Sequence, residues 1–464
     1  MSQNQDARTS RSADIRARLS HPIIDADGHL VEYVPTFLDY LRQVAGPEIA
    51  GRFERMVRTS GWHTLTPSER HAKRVYRPSW WSFPAKNSLD RATAMFPKLL
   101  RERLDELGID FAIVYTTMGI FLPRLQPAEV RQAGCRALNV MIDDIMDGYG
   151  DRIVGVAAIP TYTPQEAIEE LDFAVGVLGH KAVNLESRAI RPIPEVANGA
   201  PQYAPYATWI DTLAFESDYD YDPVWRRCAE LKVAVASHSD GVWGGRNANN
   251  FIFNHLGSFA AAGELFCKAL ILGGVIRRFP DLNFAFLEGG VSWACELYNG
   301  LVSRAEKRNG VDIYNYSPEQ IDINYMKELF SLYGSDLTKA GSLGKEFDPL
   351  LDPNAASIGG FVEPADMLDE FLESGIASGE DVRDLFVHNL YFGCEADDRL
   401  VAAAFDTRVN AFGAKLKAMF SSDSGHWDVL DMRETVSEAY ELVEENILAE
   451  EQFREFTFSN PAMF

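Results

Sequence analysis

Eight short apolar runs, rich in β-branched and aromatic residues and bounded by turn residues, punctuate the chain at 22–26, 109–115, 152–158, 181–186, 232–237, 282–288, 389–394 and 416–422. Between them, apolar residues recur at spacings of three and four over 88–107, 126–148, 163–178, 222–231 and 258–279, which predicts helices. Strand and helix in alternation imply a parallel sheet, and strands apolar almost throughout imply that both its faces are covered. An open doubly wound sheet and an α/β fold of the (β/α)8 TIM-barrel type both satisfy that pattern. What stands at the ends of the runs favours the barrel, because its functional residues sit at strand C-termini. Asp27 and His29 follow the first run, Glu186 ends the fourth, and His238 follows the fifth. Glu288, Glu395 and Asp423 mark the ends of the sixth, seventh and eighth. The Gly-rich turn that a dinucleotide-binding sheet carries after its first strand is missing.

The pattern predicts one barrel domain over 21–464 behind a polar tail at 1–20, with three intervals too long for plain loops: 31–87, 187–221 and 308–385. Insertions of this kind at a barrel's C-terminal face form lids and pockets. The first holds Trp62, Trp80, Trp81 and Phe83, and Trp293 and Trp427 lie close to the proposed site, so a pocket for a bulky lipophilic small molecule is expected. Composition changes this picture little, with 46% hydrophobic and 24% charged residues. Charge excludes more. A net charge of -24, from 68 acidic against 44 basic residues, repels phosphate backbones and anionic membrane surfaces, so no nucleic acid and no membrane partner is expected. No apolar run reaches the roughly 18 residues of a membrane span, and a cytoplasmic protein, with homo-oligomerisation left open, is expected. The five cysteines lack metal-site spacing and read as reduced core residues. His63, His71 and His180 read as surface residues, and His21 has no evident role.

Candidate chemistry begins at Asp25-Ala26-Asp27-Gly28-His29, where an Asp-x-His spacing on an extended segment points two ligating side chains the same way. DRIVGVAAIP followed by TPQEAIEEL, His238 in LKVAVASHSDG, and SSDSGH with Asp423 and His426 then occur in order along the chain. On these elements the chain resembles the amidohydrolase-related branch of the amidohydrolase superfamily, over nearly the whole barrel. The resemblance implies a metal centre at the barrel mouth. Two departures distinguish this chain: Glu288 stands where many members carry a catalytic His, and Asp27 replaces the first His of the pair. Glu288-Gly289-Gly290-x-x-Trp293 and Cys394-Glu395 are similar to a longer subfamily that includes non-heme di-iron monooxygenases.

The metal-ligand candidates are Asp27, His29, Glu186, His238, Glu288, Glu395 and Asp423, and the catalytic candidates are Glu288, His255 and His426. So much carboxylate exceeds what one tetrahedral zinc takes and suits two harder ions, iron before zinc or manganese. Three functions follow. The first is a di-iron monooxygenase that uses O2 and an electron donor to hydroxylate a lipophilic carboxylic acid or thioester. The second is a metal-dependent hydrolase or decarboxylase, and the third an inactive binding barrel.

Overall fold

A computed structural model describes residues 10–59, 64–73, 86–204, 206–239, 241, 248–316, 320, 322–334 and 369–464. The expected aromatic residues Trp62, Trp80, Trp81 and Phe83, together with His63, lie outside the described residues. The chain falls into two compact units, one running up to Asn299 and resuming at Arg383–Phe464, the other Gly300–Val382. In the second, the helix Ile323–Tyr333 starts on Asp322, whose side chain accepts from Tyr325 N.

The first unit holds the strands β1 (Ile24–Leu30), β2 (Phe111–Thr116), β3 (Ile153–Gly155), β4 (Ala157–Ile159), β5 (Ala182–Leu185), β6 (Ala189–Pro192), β7 (Thr208–Asp211), β8 (Ala234–Ser237), β9 (Phe284–Phe286), β10 (Leu390–Glu395) and β11 (Lys417–Ser421). Two arcs of parallel strands form, β1-β2-β3 and β4-β5-β8-β9-β10-β11. They meet at both seams. β3 and β4 are one predicted strand interrupted at Val156, whose N–H still donates to Val114 O at 3.0 Å. At the other seam Asp423 N donates to Asp27 O and His29 N to Ser424 O, both at 3.0 Å. Buried Asp25 reinforces that seam by accepting from Ser422 N at 2.9 Å and Ser422 Oγ at 2.6 Å. The eight predicted strands are therefore all present, as the TIM-barrel reading requires.

Strand alternation sorts the side chains into two layers. Ala26, Tyr115, Val156, Ala182, Ala236, Ala285, Leu287, Tyr391 and Met419 pack together as the barrel's inner core. Small alanines beside large tyrosines share a space of fixed diameter. Residues of opposite parity meet the helices: Phe284 lies 5.7 Å from Trp225, and Phe286 lies 6.2 Å from Phe266. Trp293 belongs to this outer layer, with its ring 5.7 Å from Phe286 and 5.4 Å from Phe392. That corrects the expectation of a pocket wall, since the helix Ser292–Arg308 turns this tryptophan toward the strands. His180, expected at the surface, is buried, and its ring nitrogens face Gly155 O at 3.1 Å and Asn139 O at 3.4 Å. His21 is also buried, stacked on Phe458.

Within the long intervals, β6 and β7 pair antiparallel as a hairpin that the Pro- and Tyr-rich sequence did not announce, tied across by Arg191 and Asp211. The stretch Phe251–Leu272 is an exception to the expectation that no run is apolar enough to span a bilayer, with a window of mean hydropathy 1.3. Two helices make it up, Phe251–His255 and Ser258–Leu272, separated by Gly257 at φ 74°. Half of that window is buried, Phe259, Ala262 and Phe266 included, so its apolarity serves the shell around the strands.

Candidate metal centre

The first strand does not end before Asp27 and His29 but carries both inside β1. Its register against β2 slips between Asp25 and Gly28, where three steps on β1 match two on β2. This bulge adds one residue. Ala26 points into the inner core and Asp27 again points inward, reaching His29 Nε2 and His238 Nε2 at 3.5 and 3.6 Å.

Two further donors turn inward through the backbone. Glu288 has φ 56° and Asp423 φ 47°, left-handed values that side chains with a Cβ adopt at a cost of about 1–3 kcal/mol. Leu287 already faces the inner core, so the left-handed turn at Glu288 breaks the alternation and brings the next side chain inward too. Its Oε2 lies 3.2 Å from His238 Nε2 and its Oε1 3.7 Å from His255 Nε2. Asp423 Oδ1 lies 3.0 Å from His29 Nε2 and 2.7 Å from His426 Nδ1.

The donors form two overlapping groups, Asp27 with His29 and His238, and His29 with Glu288, Asp423 and His426. In each group the ligating atoms lie within 4.8 Å of one another, about twice a metal–ligand bond. Both oxygens of Asp27 are buried without a hydrogen-bond donor among the described residues. Every ion pair within the cluster joins a carboxylate to an imidazole, among the described residues. Burial pushes Asp27 and Asp423 well above the ordinary carboxylate range and His29 well below that of histidine. Buried acceptors of this kind, with both Asp27 oxygens lacking a donor among the described residues, fit a metal ion, which would repay that desolvation.

The surrounding residues hold the donors in place. Asn184 Oδ1 accepts from His238 N at 2.9 Å, while its Nδ2 donates to Gly119 O. Thr117 Oγ1 lies 3.2 Å from His426 Nε2, and the His426 ring stacks on His29 at 3.6 Å. Neither Asn184 nor Thr117 was a candidate from sequence. Thr117 has the same position just past a strand end as the recognised residues, and Asn184 is the polar residue of an otherwise apolar strand.

Glu186 and Glu395 fall outside the two groups. Glu186 Oε2 accepts from Ser239 Oγ at 3.2 Å. Glu395 is the last residue of β10, and burial with the nearby charges of Asp428 and Glu288 pushes it up to about 8. Burial and Asp423 likewise push Asp428 up to about 9. Trp427 stacks edge-on to His255 at 5.7 Å and to Phe251 at 5.3 Å, the apolar side of the site.

Glu32, just past β1, accepts from Met118 N through both oxygens at 3.1 Å, yet burial still raises its pKa from 4.5 to about 8. Between those values the folded state holds a proton that the unfolded chain has lost, so stability falls as pH rises through this window. Glu32→Gln should flatten that fall, as melting temperatures from pH 5 to 8 will read; an unchanged slope contradicts it.

The family model described as amidohydrolase matches residues 24–336. Among solved structures, the chain is similar to an amidohydrolase from Mycobacterium avium subsp. paratuberculosis K-10 at 16% identity, covering 96% of this chain and 99% of that one with a TM-score of 0.52. It is also similar to 2,6-dihydroxybenzoate decarboxylase from Rhizobium, at 13% identity, 96% and 98% coverage and a TM-score of 0.50. At these identities the likeness is one of fold. With a match that begins at β1 and runs past β9, the chain belongs to the amidohydrolase family and is a metal-dependent enzyme of that fold.

Proposed function

We propose that the chain cleaves an organic acid or carbonyl compound without oxidation, by decarboxylation or hydrolysis. The observation that carries this reading is the convergence of Asp27, His29, His238 and Asp423 around buried Asp27 oxygens that lack a donor among the described residues. A divalent ion held by these side chains supplies Lewis acidity toward a carboxylate or carbonyl oxygen. The chain's own residues orient and move protons. Thr117 and Asp423 engage the two nitrogens of His426 and fix its ring, which in turn fixes His29. His255 has a side chain 14% exposed, whereas those of His29 and His238 are fully buried, and its Nε2 faces Glu288. This imidazole is the group suited to exchange a proton with a substrate. In decarboxylation the C–C pair stays on carbon as CO2 leaves, and the His255 proton completes the product. In hydrolysis the same proton goes to the leaving group. The shared fold with 2,6-dihydroxybenzoate decarboxylase makes aromatic acids the first substrates to assay.

A second reading rests on Glu288. Its inward turn adds a third carboxylate to the cluster, which supports harder, redox-active ions, one or two irons, and hydroxylation of a lipophilic acid or thioester with O2 and an electron donor. Turnover of a panel of aromatic and lipophilic acids, with protein reloaded with zinc, manganese or iron(II), separates the two. Full activity without O2, with CO2 released or 18O incorporated from water, is expected. Strict O2 dependence with label from 18O2 overturns the non-oxidative reading. His255→Gln should lower kcat by about 10²–10⁴-fold with metal content unchanged.

A further inference from the structure

Strand β1 carries two aspartates in Asp25-Ala26-Asp27-Gly28-His29, and their oxygens have different surroundings. Both oxygens of Asp27 are buried without a donor among the described residues, whereas both oxygens of Asp25, also buried, accept hydrogen bonds. Asp25 Oδ1 accepts from Asp27 N at 3.2 Å and from Ser422 N at 2.9 Å, and its Oδ2 accepts from Ser422 Oγ at 2.6 Å. Ser422 Oγ accepts in turn from Ser424 N at 3.0 Å. One carboxylate therefore ties the backbone of Asp27 to the backbone on both sides of Asp423. Asp27 and Asp423 come from distant parts of the chain, and their like charges oppose the approach that shared ligation requires. Bonds to backbone N–H groups do not depend on an ion, so they fix both segments before one binds. Gly28 belongs to the same arrangement. Its φ is not left-handed, yet a Cβ there would lie 2.8 Å from Asp25 Oδ2, with the nearest atom of any other residue, Ile113 O, 3.8 Å away. Glycine is needed here for the place of the Asp25 carboxylate and not for its own backbone.

We propose that Asp25 is the positioning residue of the metal centre: its carboxylate holds Asp27 and Asp423 together as ligands, and Gly28 leaves the space that carboxylate occupies. The assignment rests on the reading that Asp27 and Asp423 hold the ion. What counts in it is where the Asp25 oxygens stand, rather than the charge they carry.

The test is the zinc affinity of the full-length protein, read by competition with a chromophoric chelator, beside the melting temperature of the metal-free form. Asp25→Asn keeps an oxygen where the two backbone N–H groups point and should bind zinc within about threefold of wild type. Asp25→Glu keeps the charge, but its extra methylene moves the oxygens. Asp25→Glu, Asp25→Ala and Gly28→Ala should each weaken zinc by about 10–100-fold, the range for residues that orient ligands. Gly28→Ala should add little in the Asp25→Ala background, because the carboxylate it displaces is already gone. A lowered melting temperature with wild-type zinc affinity in Asp25→Glu and Gly28→Ala overturns the proposal, since Asp25 would then be structural only. Wild-type affinity in Asp25→Glu beside a weakened Asp25→Asn overturns it too, by making charge the contribution. If Asp25→Glu and Asp25→Ala do not fold, Asp25→Asn and Gly28→Ala still decide: equal zinc affinity in the two refutes the positioning role. Failure of the metal reading shows separately, as wild-type zinc affinity in Asp27→Asn.

Discussion

Asp27→Asn should empty the metal centre and lower activity by more than about a hundredfold, the upper end of what changes outside a ligand shell cost. The metal-free variant should nevertheless melt no lower than metal-free wild type. The two effects have one cause. Asp27 is buried, its oxygens have no donor among the described residues, and the carboxylates of Glu288, Asp423 and Asp25 raise its pKa further. Without a cation this carboxylate opposes folding, and the neutral amide of the same shape removes that opposition. With metal at roughly one hundred times its Kd, wild type gains about 2.7 kcal/mol by linkage, which the variant cannot. Melting curves with and without added metal, beside metal analysis, read both effects. A metal-free variant markedly less stable than metal-free wild type would show that Asp27 is structural.

Glu166→Ala should be the most destabilising substitution away from the centre, at about 3–5 kcal/mol, the range for breaking a buried pair. Glu166 Oε2 accepts from Arg131 Nη2 and from Gln132 Nε2, both at 3.0 Å, while its Oε1 accepts from Thr163 N at 2.8 Å and closes the capping box of the helix Pro164–Ala174. The side chains of Arg131 and Glu166 are only 1% and 3% exposed. Removing the carboxylate leaves a guanidinium buried with no counter-charge in this pair, and Tyr162 above it loses its support. Thr163→Ala breaks only the cap and should cost about 1 kcal/mol. Chemical denaturation of both variants is the measurement, and equal losses would refute the pair's importance.

Much of the barrel was legible because a strand buried on both faces has to be apolar, and eight such runs stand out from any helical period. The donors at Asp27, His29, His238, Glu288 and Asp423 were legible for a related reason: polar residues at the ends of apolar runs have few structural uses. Other features left no trace in the letters. A bulge and two left-handed residues decide that Asp27, Glu288 and Asp423 face inward, and no residue type announces them. Glu186 and His238 both stand at strand ends, yet Glu186 hydrogen-bonds Ser239 and lines a cavity, while His238 joins the cluster. His180 and Arg131 look like surface residues until their partners, Asn139 with Gly155 and Glu166, are brought beside them by the fold.

The extra residue in β1 has a bearing on how this barrel is compared with others. Because Ala26 fills the core and Asp27 reaches the centre from one rung, packing and ligation are assigned to separate letters and can drift independently. A barrel built without the bulge is one letter shorter there. Aligning the two without a gap at this point sets an inward residue of one against an outward residue of the other, so the ligand letters of two such enzymes can be equated only after that gap has been placed.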